Sequence, residues 1–361
     1  MGPAPYATAS HLSLHTFLPG SALRHAVNTG HAMLHRRPMS TLAQHFVDEG
    51  LSVDVLLLHV SEPDEHGNMS LGVTVDYMPD ILSANPLVIA QINPNMPFTL
   101  GDTTVRKDQI DFAYQVDSTP IEMKASRSDA IDEAVARNVL RLLRDEATLQ
   151  YGIGTIPDTI ISRLSGLRDI GLQSGFITEA ALAMMNEGVI SNRRKLIDNG
   201  SSIATAAGGS FEFYRRLHRN NEIRFRSTRH THDSQMLGGM ENFFAINSAL
   251  QVDLNGSVNA ETAGTRIVSA PGGFPDFAEA GTKSTGGASI VALRSTSRGG
   301  NESTIVRKLP DQAPITVIAD HVTFIVTEFG IAEIAGTDAP MRAKAIASVA
   351  HPDHRADLMS Q

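Results

Sequence analysis

The sequence predicts an α/β protein built on two open sheets, and three observations predict it. Short, largely apolar runs bounded by Gly, Pro and Asn clusters read as buried strands. Segments with apolar residues three and four apart alternate with those runs in both halves, as covering helices do. At 361 residues, 42% hydrophobic and 19% charged, the chain has apolar material for two sizeable cores.

The first 50 residues are polar and rich in histidine: His11, His15, His25, His31, His35 and His45. His11/His15 and His31/His35 have i, i+4 spacing, but with no metalloprotease glutamate or third ligand nearby they read as solvated helix faces, and no metal site is expected. Residues 54–60, 86–93 and 110–117 (DVLLLHV, PLVIAQIN and IDFAYQVD) read as three strands. Between them, 63–68 (PDEHGN) and 93–97 (NPNMP) form strand-end loops, where α/β proteins build their sites. The polar stretch 124–129 marks a boundary near residue 125, giving an N-terminal domain over 1–125 and a C-terminal one over 126–361. A helix follows, with Asp129 as N-cap and Ile131, Val135, Val139, Leu142 and Leu143 on one face. Further strands are expected over 148–154, 202–207, 244–254, 289–293, 315–319 and 323–327. Gly152-Ile153-Gly154 ends the first of these and precedes an apolar-patterned segment from Ile156 to Leu164, so its glycines permit close backbone approach near a helix N-terminus.

The formal charge is −9 and the pI about 5.8, which provides no electrostatic footprint for nucleic acid or an anionic membrane. There are no cysteines, so disulfides, thiolate catalysis and Cys-ligated zinc are excluded. No apolar run approaches the roughly 20 residues that span a bilayer. With no basic segment followed by an apolar stretch at the N-terminus, a cytoplasmic protein is expected.

Six segments, in order and spanning roughly residues 20–358, resemble the acetyl-CoA hydrolase/transferase family, which includes 4-hydroxybutyrate and butyrate CoA-transferases. They are 61–67 (SEPDEHG), 95–97 (NMP), 151–157 (YGIGTIP), 246–254 (INSALQVDL), 326–332 (VTEFGIA) and 350–355 (AHPDHR). The resemblance implies two CoA-transferase-type (NagB/RpiA-like) α/β domains with a site in the cleft between them, a CoA thioester as co-substrate with no metal, and a homo-oligomer. It places Asn95, Met96, Gly175 and Phe274 at the substrate and Gly152 and Gly154 at substrate or CoA. Residues 270–277 (APGGFPDF) match the family's Gly-Gly-Gln-Val-Asp-Phe loop, so Gly272 and Gly273 would present N–H groups to the thioester; Phe274 and Pro275 replace Gln and Val, and Pro275 removes one donor. Lys283, Arg298 and Asn301 fall in the region that lines the CoA nucleotide in relatives, and Glu328 matches a pocket carboxylate.

Three departures stand against this match. Residues 171–179 (GLQSGFITE) resemble the family's His-Ser-Glu-Met segment, whose glutamate attacks the thioester; here that glutamate falls on Gly175, which has no side chain to supply a carboxylate. In residues 228–233 (TRHTHD), His232 replaces the asparagine that positions the glutamate, while Asp233 is kept. Residues 20–24 already match a later point of the family, so the first domain is shortened at its N-terminus. The leading reading is an acyltransferase that passes the acyl group of a CoA thioester directly to a small-molecule acceptor (amine, hydroxyl or water). In it, His232 is the general base, Gly272 and Gly273 stabilise the oxyanion, and Asp233 or Glu328 orients the imidazole. One alternative is a conventional CoA-transferase using Glu179 or Glu261; Glu179 lies one turn, about 5 Å, beyond Gly175. The other is a non-catalytic CoA-binding protein.

Overall fold

The computed structural model describes residues 4–47, 52–124, 127–297, 299–300 and 302–360. The larger sheet has six strands, in the order Gly330–Glu333, Phe324–Thr327, Ala288–Ala292, Phe243–Ser248, Thr148–Tyr151 and Gly171–Leu172. All neighbours are parallel except the first pair. The strand Ala288–Ala292 is buried at every position, which is why its sequence is largely apolar, broken only by Ser289. In the neighbouring strand Phe243–Ser248 side chains alternate between two cores: Phe244 and Ile246, with Ile290 beside them, join one cluster with Val135, Val139 and Ile160 of the preceding helices, whereas Phe243 and Ala245 pack on Phe277 and Ala280 of the helix Phe274–Lys283.

The smaller sheet is Val55–Val60, Leu87–Ile92 and Phe112–Gln115, all parallel. Its inner face, with Leu56, Leu58, Val60, Val88 and Ala90, belongs to the same apolar cluster as Val135 and Ile246. Residues on either side of the expected boundary thus share one core; Ala125 and Ser126 themselves lie outside the described residues. On the other face Leu57, Phe112 and Tyr114 are exposed.

Several expected elements differ. The run 244–254 is two strands: a break after Ser248 sends Gln251–Asp253 into a separate three-stranded sheet with Val258–Asn259 and Ile305–Val306. The run 202–207 likewise splits, Ser202–Ala204 pairing with Ile223–Phe225 and Ala206–Ala207 with Phe176–Ile177. Residues 315–319 form no strand; Thr316 and Val317 only bridge to Val258 before a 3₁₀ turn at Ala319–His321. Neither His11/His15 nor His31/His35 lies on a helical face. His15 is in the strand Leu14–Thr16 and His35 follows the parallel strand Ala32–Leu34, so register brings Nδ1 of His15 to 2.7 Å from Nε2 of His35.

The helix after the boundary is Ala130–Leu140, with Asp129 accepting from the N–H groups of Ile131 and Asp132. Ile131 sits at its exposed start; Val135 and Val139 are buried. Asp129→Ala is expected to destabilise the fold by removing this cap, read as a lower urea midpoint with unchanged slope.

The segment before the first sheet wraps onto the far half of the chain. Asn28 exchanges two hydrogen bonds with the backbone of Ile267 (2.8 and 2.9 Å). Arg36 grips Glu261 through two nitrogens at 2.6 and 2.9 Å. The Met39 N–H donates to Gly272 O at 2.9 Å, within an isolated parallel bridge between Pro38 and Gly272. The glycine-rich loop is thereby held from both halves. Among the described residues no helix is long and apolar enough to cross a membrane.

Candidate active site

Gly175 lies just past the strand Gly171–Leu172, at the C-terminal end of the larger sheet, where open α/β sheets place their ligands. Its carbonyl accepts from the N–H groups of Thr205 and Ala206, both at 3.1 Å, and the Ser174 hydroxyl donates to Tyr151 O at 3.3 Å. The loop is pinned on two sides. A Cβ at Gly175 would meet His232 Nε2 at 3.0 Å, His232 Cε1 at 3.1 Å and Phe277 Cε2 at 3.4 Å. The imidazole therefore stands where a side chain at 175 would point.

His232 is the C-cap of the short helix Thr228–Thr231 and is 3% exposed. Its ring lies 4.7 Å from that of Phe277. The Thr231 hydroxyl lies 3.2 Å from Ser227 O and 2.8 Å from His232 Nδ1. With Nδ1–H as the donor in that contact, Nε2 would carry the lone pair. Burial pushes the imidazole down to about 3, so it is neutral at ordinary pH. Neither expected orienting carboxylate touches the ring. Asp233 caps the next helix, accepting from the N–H groups of Gln235 and Met236. Glu328 accepts from Ser295 N at 2.9 Å and Ser295 Oγ at 2.6 Å. Thr231 takes the orienting place instead, and no sequence signal marked it. The helix itself is fixed by His230, whose Nε2 lies 2.6 Å from Asp198.

Gly273 is the N-cap of the helix Phe274–Lys283, and a Cβ there would come within 2.4 Å of both His232 Cδ2 and Nε2. Close approach of backbone to imidazole requires glycine here. Gly272, at φ 58°, is turned toward Pro38 and Met39 by the bridge described above, so Gly273 is the better placed of the two beside the histidine. At the third residue of the helix, Asp276 accepts from Ser40 N at 3.2 Å and Ser40 Oγ at 2.6 Å. Burial raises its carboxyl to about 7. A carboxyl raised in the folded state contributes stability that is complete below its ordinary pKa of 3.8 and is lost as pH climbs through about 7. Asp276→Asn is therefore expected to gain on the wild type in thermal midpoint between pH 5 and pH 9; a constant difference would contradict this.

Other expected site residues are dispersed. Gly152 abuts Asn247, whose Oδ1 would lie 2.9 Å from a Cβ, and Gly154, at φ 145°, caps the helix Thr155–Ile161. Asn95 donates to Asp117 at 2.8 Å, while Met96 is buried against Gly72. Phe274 is buried in a core cluster with Ala278 and Val291. Lys283 ends a ten-residue helix that begins at the site, about 15 Å away along its axis, and pairs with Glu279 at 2.5 Å. Arg298 and Asn301 lie outside the described residues.

The alternative carboxylates are already engaged. Glu261, 1% exposed, is gripped by Arg36 and accepts from Thr316 Oγ1 at 2.9 Å. Glu179 accepts from the N–H and hydroxyl of Ser210. It lines a cavity of about 190 Å³ with Asp158, Thr178, Gly208 and Gly209, none of which surrounds His232. No group of three or more potential metal-binding side chains occurs among the described residues.

Comparison with known proteins matches residues 8–124 to the acetyl-CoA hydrolase/transferase N-terminal domain and 209–361 to the C-terminal domain of the same name. A 4-hydroxybutyrate coenzyme A transferase of Clostridium kluyveri is 33% identical over 97% of this chain and 82% of its own length. The crystal structure of RipA from Yersinia pestis is similar with a TM-score of 0.88, at 26% identity over 96% of this chain and 79% of that one. A 4-hydroxybutyrate CoA-transferase from Porphyromonas gingivalis gives a TM-score of 0.82 at 28% identity, over 94% and 82%. With both halves matched in order and the open α/β fold shared, the chain belongs to the acetyl-CoA hydrolase/transferase family.

Proposed function

We propose that the protein transfers the acyl group of a CoA thioester directly to a small-molecule acceptor, water included, without acylating one of its own carboxylates. The observation that carries this reading is the imidazole of His232 filling the side-chain space at Gly175, with its Nε2 turned there; in the tautomer proposed, Nδ1–H donates to Thr231 and Nε2 is the base. In the step proposed, the acceptor oxygen or nitrogen attacks the thioester carbonyl while Nε2 takes its proton. The C–S bond breaks, and the departing thiolate takes that proton back as CoA thiol. The Gly273 N–H, at a helix N-terminus, stabilises the oxyanion. The occupied states of Glu179 and Glu261 speak against a conventional CoA-transferase route.

Because burial holds the imidazole near 3, its protonation removes the base only in strong acid. With acetyl-CoA and water, thiol release is expected to give a kcat/KM level between about pH 5 and 8. A limb near 6.5, or no thiol release with water or any amine or alcohol offered, would overturn the reading.

A further inference from the structure

The hairpin between Phe324–Thr327 and Gly330–Glu333 turns on two residues, Glu328 and Phe329, since Thr327 pairs with Gly330. This turn sits at the C-terminal end of a parallel strand, on the ligand-binding side of the sheet. Glu328 folds back to Ser295, whereas Phe329 is 40% exposed. Its ring is supported from two directions. The Arg355 guanidinium carbon lies 5.6 Å from the ring centroid, and His351 meets the ring edge-on at 5.2 Å and 88°. Arg355 Nε donates to Ala350 O at 2.9 Å, which fixes the guanidinium; its terminal nitrogens have no acceptor among the described residues. The acidic neighbour is Asp353, 3.6 Å from His351 Nδ1, with a side chain 84% exposed and directed at the histidine rather than at the arginine.

We propose that Phe329 and Arg355 form a platform for a nucleotide, the base stacking on the exposed ring and the phosphates meeting the guanidinium. The proposal rests on the CoA-thioester reading and names the part of that substrate the platform takes. A flat aromatic face binds any base by stacking, and a guanidinium with free terminal N–H groups offers phosphate two parallel hydrogen bonds. The platform stands in for Lys283, which lies at the far end of its helix.

The test is calorimetric titration of wild type, Phe329→Ala, Phe329→Trp and Arg355→Met with acetyl-CoA and with S-acetylpantetheine, which lacks the nucleotide. Phe329→Ala and Arg355→Met are expected to weaken acetyl-CoA roughly 5- to 100-fold, with Phe329→Trp close to wild type. S-acetylpantetheine affinity is expected to stay the same throughout. Acetyl-CoA affinity unchanged in both weakened variants would overturn the platform alone, as would an equal loss for S-acetylpantetheine. A wild type that binds neither thioester would overturn the platform and the CoA reading together.

Discussion

His232→Ala is expected to lower turnover of acyl-CoA by roughly 10²- to 10⁴-fold, the range over which a positioned general base contributes. Affinity for the thioester should change only a few-fold, because the ring is buried against Gly175, Gly273 and Phe277 rather than spread along the substrate. The vacated space has the size and apolar wall of an imidazole. Added imidazole should therefore recover part of the lost rate, and methylated imidazoles too large for the hole should not. Turnover measured with and without imidazole decides this. A variant as active as wild type would remove His232 from the mechanism.

Gly273→Ala is expected to be nearly as damaging to turnover, for a steric reason. At φ −90° alanine suits the backbone, so strain in the chain is not the cause. The new methyl would stand 2.4 Å from two imidazole atoms and 2.8 Å from Phe277 Cε2, and the histidine must leave its place to admit it. Overpacking of this kind costs about 1–3 kcal/mol. Combining the change with His232→Ala removes the main clash, so the double variant should be more stable than Gly273→Ala alone, a non-additivity expected only of groups in contact. Unfolding midpoints of the four proteins test it. Simple additivity would mean that the two residues do not touch.

Much of the architecture was legible because strands leave short, largely apolar runs: residues 54–60 and 289–293 each fall within one residue of an observed strand, although the first is buried on one face only, with Leu57 exposed. Where a run carries two strands into different sheets, as at 244–254, hydropathy is blind to the break, because both pieces are buried. The histidine pairs misled for a related reason. Spacing of four fits a helix, but His15 and His35 are brought together by parallel register over 20 residues of chain.

At the site, Gly175 and His232, the two positions that the resemblance singled out, are neighbours: a side chain at the first would point into the ring of the second. The orienting group was not legible. Carboxylates were expected to hold the imidazole, yet Asp233 is consumed as a helix cap and Glu328 by Ser295. Thr231 does so because its hydroxyl lies 2.8 Å from Nδ1, a fact of geometry with no signature in residue type. Glu261 looked available in the sequence; the arginine that ties it up lies 225 residues away.

Intact-mass measurement of the protein during turnover of acyl-CoA, with borohydride added to reduce any enzyme-bound thioester, tests direct transfer most closely. The account predicts thiol release with the chain mass unchanged throughout. A chain carrying CoA or an acyl group on Glu179, Glu261 or any other carboxylate, formed and discharged at the turnover rate, would contradict it.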